Sequence, residues 1–185
     1  MVLGIVCLLP QDAMADVGIP MIVFTLPGMV MVLIPVIFLE MLVMKPRLSV
    51  STKTALKVSS VANIVTTIVG IPFTWLVLVI IQFWTGGGGN AVPKTPIDAV
   101  FAVTLHAAWR GEGPPYWVIP AAAMWLLVPS FFVSWWLEYK VAARMLPDAG
   151  RQQLKSAMFR ANLLSYYFLE MIALGWLVYE IVFEL

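Results

Sequence analysis

The chain alternates between four long apolar stretches and shorter connections that carry most of its charge. The stretches cover approximately residues 19–44, 58–84, 116–137 and 161–183. Each is long enough for an α-helix to cross a hydrocarbon layer, which takes about 20 apolar residues for about 30 Å. The pattern therefore predicts an all-α integral membrane protein with four transmembrane helices.

A pair formed by a glutamate and an asparagine occurs twice, about a hundred residues apart. Glu40 lies near the end of the first stretch, and Asn63 follows it by 23 positions. Glu138 lies at the end of the third stretch, and Asn162 follows it by 24 positions. A basic connection separates the two members of each pair. We interpret this repetition as one helical hairpin used twice.

Hairpin 1 then covers about residues 19–84 and hairpin 2 about 116–183, so that residues 16–185 form a single four-helix membrane domain. The outer loop 85–115 joins the hairpins. Within it, Pro96–Trp109 has apolar residues close to helical spacing, and a proline suits the first turn of a helix. We expect a short helix there, lying on the outer surface.

Residues 1–15 resemble a secretory signal. Their apolar run is nine residues long, which is too short to cross a membrane as a helix. Ala13-Met14-Ala15 has the small-x-small form of a signal-peptidase site, and cleavage would leave Asp16 as the first residue. No basic residue precedes the run, so an uncleaved interfacial tail is the alternative.

Composition supports a membrane protein, since 62% of the residues are hydrophobic and 11% are charged. A soluble domain carries roughly 25% charged residues. The net charge of +1 gives no reason to expect a nucleic-acid partner. The single cysteine, Cys7, excludes an intramolecular disulfide.

Basic residues predict the orientation. Nine of the eleven lysines and arginines fall in or beside the connections 45–57 and 138–160. The positive-inside rule places both connections, predicted as loops, in the cytoplasm. The loop 85–115 and both mature termini would then be periplasmic, with the helices in the bacterial inner membrane.

The repeated pairs are our candidate for a structural polar clamp. An uncompensated charge at the centre of a membrane helix costs roughly 2.5–3.5 kcal/mol on insertion scales. We expect Glu40 to bond to Asn63 at one depth, with a loop Lys or Arg as a further partner of Glu40. Glu138 and Asn162 would bond nearer the interface. A proton or cation relay near the pseudo-twofold axis, or the binding of a partner subunit or lipid head group, is the alternative.

Glu170 is the candidate residue for transport or partner binding. It lies eight residues beyond Asn162, or about 12 Å along a helix. The corresponding position of hairpin 1 is Ile71. The alternative role is a neutral packing residue whose protonated carboxyl bonds to a threonine or a backbone carbonyl.

No catalytic, cofactor or metal site is predicted, and the chain is not expected to be an enzyme. His106 is the only histidine, with Asp98 and Glu112 as the only nearby acids. No nucleophile–base constellation is present. The methionines of the first stretch are interpreted as lipid-facing residues rather than as copper(I) ligands: Met21, Met29, Met31, Met41 and Met44.

A loose resemblance covers about residues 34–70. It is carried by Ile34-Pro35-Val36-Ile37-Phe38-Leu39-Glu40, Arg47-Leu48, Lys53-Thr54, Asn63 and Val69-Gly70. This segment resembles the cyanobacterial filament-integrity membrane protein of septal junctions. The start, Asp16-x-Gly18-x-Pro20-Met21, looks like that of uncharacterised small bacterial membrane proteins made with signal peptides. The resemblance implies a non-catalytic membrane protein that works within a larger assembly.

Two functions follow as hypotheses. The first is a structural or accessory subunit of a larger bacterial inner-membrane complex, with the lipid bilayer and other membrane-protein subunits as partners. The alternative is a small oligomeric transporter or channel module for protons, cations or small solutes that uses Glu170 and Glu40. Acidic residues near a repeat interface are found in transporters, but four helices would need to oligomerise to enclose a path.

Overall fold

A computed structural model describes residues 26–85, 92–107 and 115–183, and the signal-like segment 1–15 lies outside them. The described residues form helices and no strand. In chain order the helices are α1 (Leu26–Leu48), α2 (Thr52–Thr85), α3 (Pro96–Phe101) with a π-helical continuation (Ala102–His106), α4 (Val118–Met145) and α5 (Arg151–Phe183). The all-helical prediction is therefore confirmed for this part of the chain.

Three of these helices, α2, α4 and α5, are long and apolar enough to cross a membrane. Their outward faces carry large apolar side chains. Ile68 of α2 is 66% exposed and Phe132 of α4 is 56% exposed. Large apolar surface of this kind is rare on soluble monomers and marks a face that contacts lipid or another protein. The membrane interpretation is thus supported by length and by surface.

The helices continue well into the basic connections, and the prediction that residues 45–57 and 138–160 are loops is wrong. Only residues 49–51 and 146–150 lie between the helices. The physical reason is that the first turns of α2 and α5 bury one face, including Ala55 and Leu154. Their basic residues remain on the opposite, solvated face, so the positions of these residues did not indicate where the two helices begin.

The turn between α1 and α2 has a defined start and stop. Ser49 adopts a left-handed conformation with φ of 52°, which ends α1. Ser51 Oγ accepts a hydrogen bond from the backbone N–H of Thr54 at 3.1 Å. A serine at this position satisfies one of the unpaired N–H groups at a helix start. The two helices can therefore reverse direction within three residues.

The four long helices form a bundle in which each contacts two neighbours. Helix α1 packs against α2 and α5, and α4 packs against the same two helices. Helices α1 and α4 therefore lie diagonally across the bundle from each other. All four contribute to one buried cluster at the basic end, formed by Met44, Val58, Ala142, Leu154, Met158 and Ala161.

The methionines of α1 are divided between the two sides of the helix. Met41 and Met44 are buried in the bundle, whereas Met31 is 74% exposed. The expectation that these residues all face lipid is therefore wrong for Met41 and Met44, because the end of α1 packs against two other helices. Met21 and the side chain of Met29 lie outside what the structure describes.

The helix expected in the outer loop begins at Pro96, as predicted. Thr95 Oγ1 accepts from the Asp98 N–H at 3.1 Å, while Asp98 Oδ2 accepts from the Thr95 N–H at 2.9 Å. This reciprocal pair fixes the helix start. The hydrogen bonds from Thr95 hold the pKa of the Asp98 carboxyl below its usual value. The π-helical continuation packs Ala102 beside Val118 at the start of α4.

Candidate functional site

Seven polar side chains are buried where the four long helices meet. We call them the central cluster: Glu40 of α1, Ser59 and Asn63 of α2, Ser134 and Glu138 of α4, and Asn162 and Ser165 of α5. Glu40 is 1% exposed and Glu138 is 2% exposed. Burying a carboxyl group to this degree requires hydrogen-bond partners for its oxygens.

In hairpin 1, the cluster joins α1 to α2. Asn63 Nδ2 donates to Glu40 Oε2. Ser59 Oγ donates to the same oxygen at 3.2 Å. Asn63 Nδ2 also donates to the Ser59 backbone carbonyl at 3.0 Å, which holds the amide in place on its own helix.

In hairpin 2, the equivalent residues join α4 to α5. Asn162 Nδ2 donates to Glu138 Oε2 at 2.8 Å and to the Met158 carbonyl at 3.2 Å. A second contact links the hydroxyl groups of Ser134 and Tyr166 at 2.6 Å. A Glu–Asn hydrogen bond is thus present across both hairpins.

The two pairs occupy equivalent places in the bundle. Glu40 lies eight residues before the end of α1, and Glu138 lies seven residues before the end of α4. Asn63 and Asn162 each lie eleven residues after the first residue of their helices. The members of the two pairs therefore lie at similar distances from the ends of their helices.

The side chains of Glu40 and Glu138 lie close enough to interact across the bundle. The expectation that Glu138 and Asn162 lie nearer the interface stays a prediction. It was based on the neighbouring Lys140, which is an exposed residue within α4 rather than a marker of its end.

The approach of the two carboxyl groups has a chemical consequence. Like charges at close range repel, so a pair of buried carboxyl groups favours a proton on one member of the pair. Glu40 and Glu138 lie on the diagonally opposed helices α1 and α4, so this approach is at the centre of the bundle.

Ser165 completes the connection between the hairpins. Its hydroxyl donates to Glu40 Oε1 at 2.9 Å, which links α5 directly to α1. Glu40 thus accepts from three side chains, Ser59 and Asn63 of α2 and Ser165 of α5. None of these partners is a loop lysine or arginine, so the expectation of a basic partner for Glu40 is wrong.

Two buried oxygens beside the cluster have no hydrogen-bond partner among the described residues, Asn162 Oδ1 and Thr66 Oγ1. Asn162 is 0% exposed. Its Oδ1 remains free to accept a proton donor, because its hydrogen bonds to Glu138 and Met158 are both made by Nδ2. The cluster therefore retains an unused acceptor at Asn162 Oδ1, beside Glu138.

Glu170 does not belong to this cluster. Its side chain is partly exposed on α5, and its carboxyl makes no hydrogen bond or ion pair with another described residue. The hydrogen bond from Glu170 to a threonine or a backbone carbonyl, expected for its alternative packing role, is absent within the part of the chain that the structure describes. The buried carboxyl close to Glu40 is that of Glu138.

The sequence identified both Glu–Asn pairs, but it did not identify Ser59 and Ser134 as their neighbours. Ser59 lies four residues before Asn63, and Ser134 lies four residues before Glu138. Residues four apart share one face of a helix. Helical spacing from a known polar position could therefore have found both serines.

Within residues 26–85, 92–107 and 115–183, no three His, Cys, Asp or Glu side chains are placed to hold one metal ion.

Comparisons with family models, with curated proteins and with solved structures gave no match to this chain.

Proposed function

We propose that this chain is a non-catalytic structural or accessory subunit of a larger bacterial inner-membrane complex. In this proposal the bundle crosses the membrane four times, as two repeated hairpins. Helix α1 is the fourth span, because its 23 residues reach about 35 Å at 1.5 Å per residue. It also packs against two membrane-length helices, α2 and α5.

The proposed orientation follows the basic residues, which concentrate where α1 meets α2 and where α4 meets α5. These ends would be cytoplasmic, and α3 with the outer loop would be periplasmic. Cleavage after Ala15 would place both mature termini on the periplasmic side. The assembly role agrees with what the loose resemblance over residues 34–70 implies.

The observation that carries the structural role is the internal pairing of the central cluster. Both buried glutamates are bonded to residues of the same bundle, through Asn63, Ser165 and Asn162. Polar pairs between membrane helices contribute about 0.6 kcal/mol each on average. Several of them together fix which helices are neighbours, without any chemistry on a substrate.

Purification of the full chain in a mild detergent tests the proposed subunit. We expect the tagged chain to elute in a complex larger than its own micelle and to retain defined membrane-protein partners. An unrelated tagged membrane protein of similar size is the control for adventitious partners. A lone, monodisperse monomer under several mild detergents would contradict the proposal.

A second candidate function is an oligomeric module that carries protons or cations. The observation that favours it is the close approach of the buried carboxyl groups of Glu40 and Glu138, which in this proposal share one proton. Glu170, the other residue expected to take part in transport, lies outside the central cluster. The module would release this proton during transport, which requires that water reach the cluster.

Flux measurements distinguish the two functions. The structural subunit should give no proton or cation flux above that of protein-free liposomes. If flux is present, the second candidate predicts that Glu40→Gln abolishes it, whereas Glu170→Gln, outside the cluster, leaves it unchanged. Flux that is equally insensitive to both substitutions would remove the shared proton from the mechanism.

A further inference from the structure

One acidic residue of the long helices has no partner in the bundle. Glu170 of α5 is partly exposed, and its carboxyl makes no hydrogen bond or ion pair with another described residue. It lies ten residues beyond Arg160, the last base of α5, which is about 15 Å along a helix. In the proposed orientation this is near the middle of a hydrocarbon layer about 30 Å thick. A charged side chain at this depth is costly, and such residues normally pair with another group.

The other described acid of α5 provides a comparison. Glu180 Oε1 accepts a hydrogen bond from the indole N–H of Trp176 at 2.7 Å. Glu180 lies only three residues before the end of α5 at Phe183. The acid near the helix end therefore has a donor on its own helix, whereas Glu170 has none in the described part of the chain. A donor for Glu170 would have to come from outside the bundle.

Glu170 belongs to a stripe of exposed and partly exposed side chains along α5. The stripe advances by alternating steps of four and three residues, and we call it the Glu170 seam: Leu163, Tyr167, Glu170, Leu174, Leu177 and Ile181. Tyr167 is 62% exposed and Leu163 is 51% exposed. Steps of four and three keep side chains on the side of a helix that faces a second helix in a left-handed pair. The seam therefore has the spacing of a helix–helix contact.

The contacts of α5 within the bundle use other positions. Ser165 bonds to Glu40 of α1, and Tyr166 bonds to Ser134 of α4. None of the seam residues is buried. The seam is therefore free to contact one more helix, in addition to α1 and α4.

We propose that the Glu170 seam binds a transmembrane helix of another protein, and that this helix carries a lysine or arginine opposite Glu170. The two opposite charges compensate each other, so neither stays unpaired in the hydrocarbon. The apolar residues of the seam pack against the partner helix on either side of this pair. The inference rests on the proposed role as a membrane subunit, and it specifies the chemistry of the partner.

A second copy of this chain cannot supply the base. All eleven lysines and arginines fall within residues 45–57, 94–110 and 140–160, so none lies in an apolar stretch. Two copies that met through their seams would bring like charges together at Glu170, which repel each other. Opposite charge therefore favours a different protein as the occupant. Hairpin 1 has Ile71 at the equivalent position, so we expect one such partner helix per chain.

Binding of a model peptide to the purified full chain in liposomes tests the charge preference. The probe is a polyleucine transmembrane peptide with one central lysine, and the reference peptide has leucine at that place. Energy transfer between labelled peptide and labelled chain measures association. We expect the lysine peptide to bind about tenfold more tightly than the leucine peptide, because opposite charges attract strongly in a medium of low dielectric constant. Equal binding of the two peptides would overturn the proposal.

Two substitutions of acids on α5 show whether the preference comes from the seam. Glu170→Gln removes the charge at nearly constant volume, so the preference for the lysine peptide should fall below about twofold. Glu180→Gln is the matched control, because Glu180 lies on the same helix but outside the seam. It should leave the preference unchanged. Loss of the preference in both variants, or in neither, would overturn the proposal.

The apolar part of the seam is tested with a pair of leucines. Leu174 of the seam is 38% exposed, and Leu164, outside the seam, is 40% exposed. Leu174→Ala should weaken binding of both peptides about threefold, because packing contributes to helix association in membranes. Leu164→Ala should not change binding. Equal effects of the two substitutions would overturn the seam as the contact surface.

Photo-crosslinking in native membranes tests the chemistry of the natural partner. With a photoreactive residue in place of Tyr167, we expect a crosslink to a transmembrane segment of another protein that has a lysine or arginine within one helical turn. Ile68 of α2 is 66% exposed and is the control position, which should not give this crosslink. A crosslink to a second copy of this chain, a partner segment without a base, or no protein crosslink would overturn the proposal.

Charge reversal separates this inference from the proposed subunit role. Glu170→Lys should release the crosslinked partner, and replacing the partner's base with glutamate should restore the complex. A complex that keeps all its partners with Glu170→Lys would overturn the seam and leave the subunit role intact. A lone monomer of the unsubstituted chain in mild detergent would instead contradict the subunit role.

Discussion

Replacing Glu40 with alanine should lower the free energy of unfolding by about 2 kcal/mol, because three hydrogen bonds between helices are lost at about 0.6 kcal/mol each. The donors of these bonds are Ser59, Asn63 and Ser165, and they come from two different helices. Glu138 would also lose the neighbouring carboxyl group. The measurement is reversible unfolding in mixed detergent micelles.

Glu170→Ala is the matched control for this substitution. It removes a carboxyl from a membrane-length helix at a position outside the cluster, so we expect a change of less than about 0.5 kcal/mol. If the two substitutions had similar effects, the central cluster would not hold the bundle together. The structural role proposed for it would then be wrong.

Replacing Leu154 with alanine should lower the free energy of unfolding by about 3 kcal/mol, since Leu→Ala changes in packed cores cost 2–5 kcal/mol. Leu154 is 1% exposed and belongs to the buried cluster to which all four long helices contribute. It lies in the first turn of α5, in a segment that was predicted to be a loop because of its basic residues. The same unfolding measurement applies.

The control for Leu154 is Leu163→Ala on the same helix. Leu163 is 51% exposed, so the substitution leaves no internal cavity and should change stability by less than about 0.5 kcal/mol. A small effect at Leu154 would mean that the start of α5 is not packed against the rest of the bundle. The short connection 146–150 would then be longer in solution than in the structure.

Particular residues explain which structural predictions from the sequence were correct and which were wrong. Pro96 and Thr95 predict the start of the outer helix because its capping is local, and the hydrogen bonds to Asp98 are present. The starts of α2 and α5 could not be predicted from the positions of lysine and arginine residues alone. Lysine and arginine can extend from the exposed side of a helix while its other side is buried.

The neighbours of the two glutamates could likewise be predicted only in part from the sequence. Sequence spacing relates Glu40 to Asn63 and Glu138 to Asn162, because each pair lies within one hairpin. The contact between Glu40 and Glu138 joins different hairpins, and no periodicity in the chain encodes how two hairpins pack. Glu170 illustrates the converse, since an acidic residue in an apolar stretch can lie on the outside of the bundle.

The sequence by itself determined the helical class, the membrane-length apolar helices and the two Glu–Asn pairs, because these depend on composition and on spacing along one chain. Only the tertiary structure decided that the two carboxyl groups approach each other across the bundle, and that Ser165 connects α5 to α1. These contacts depend on the packing of helices that are distant in sequence, which local periodicity does not specify.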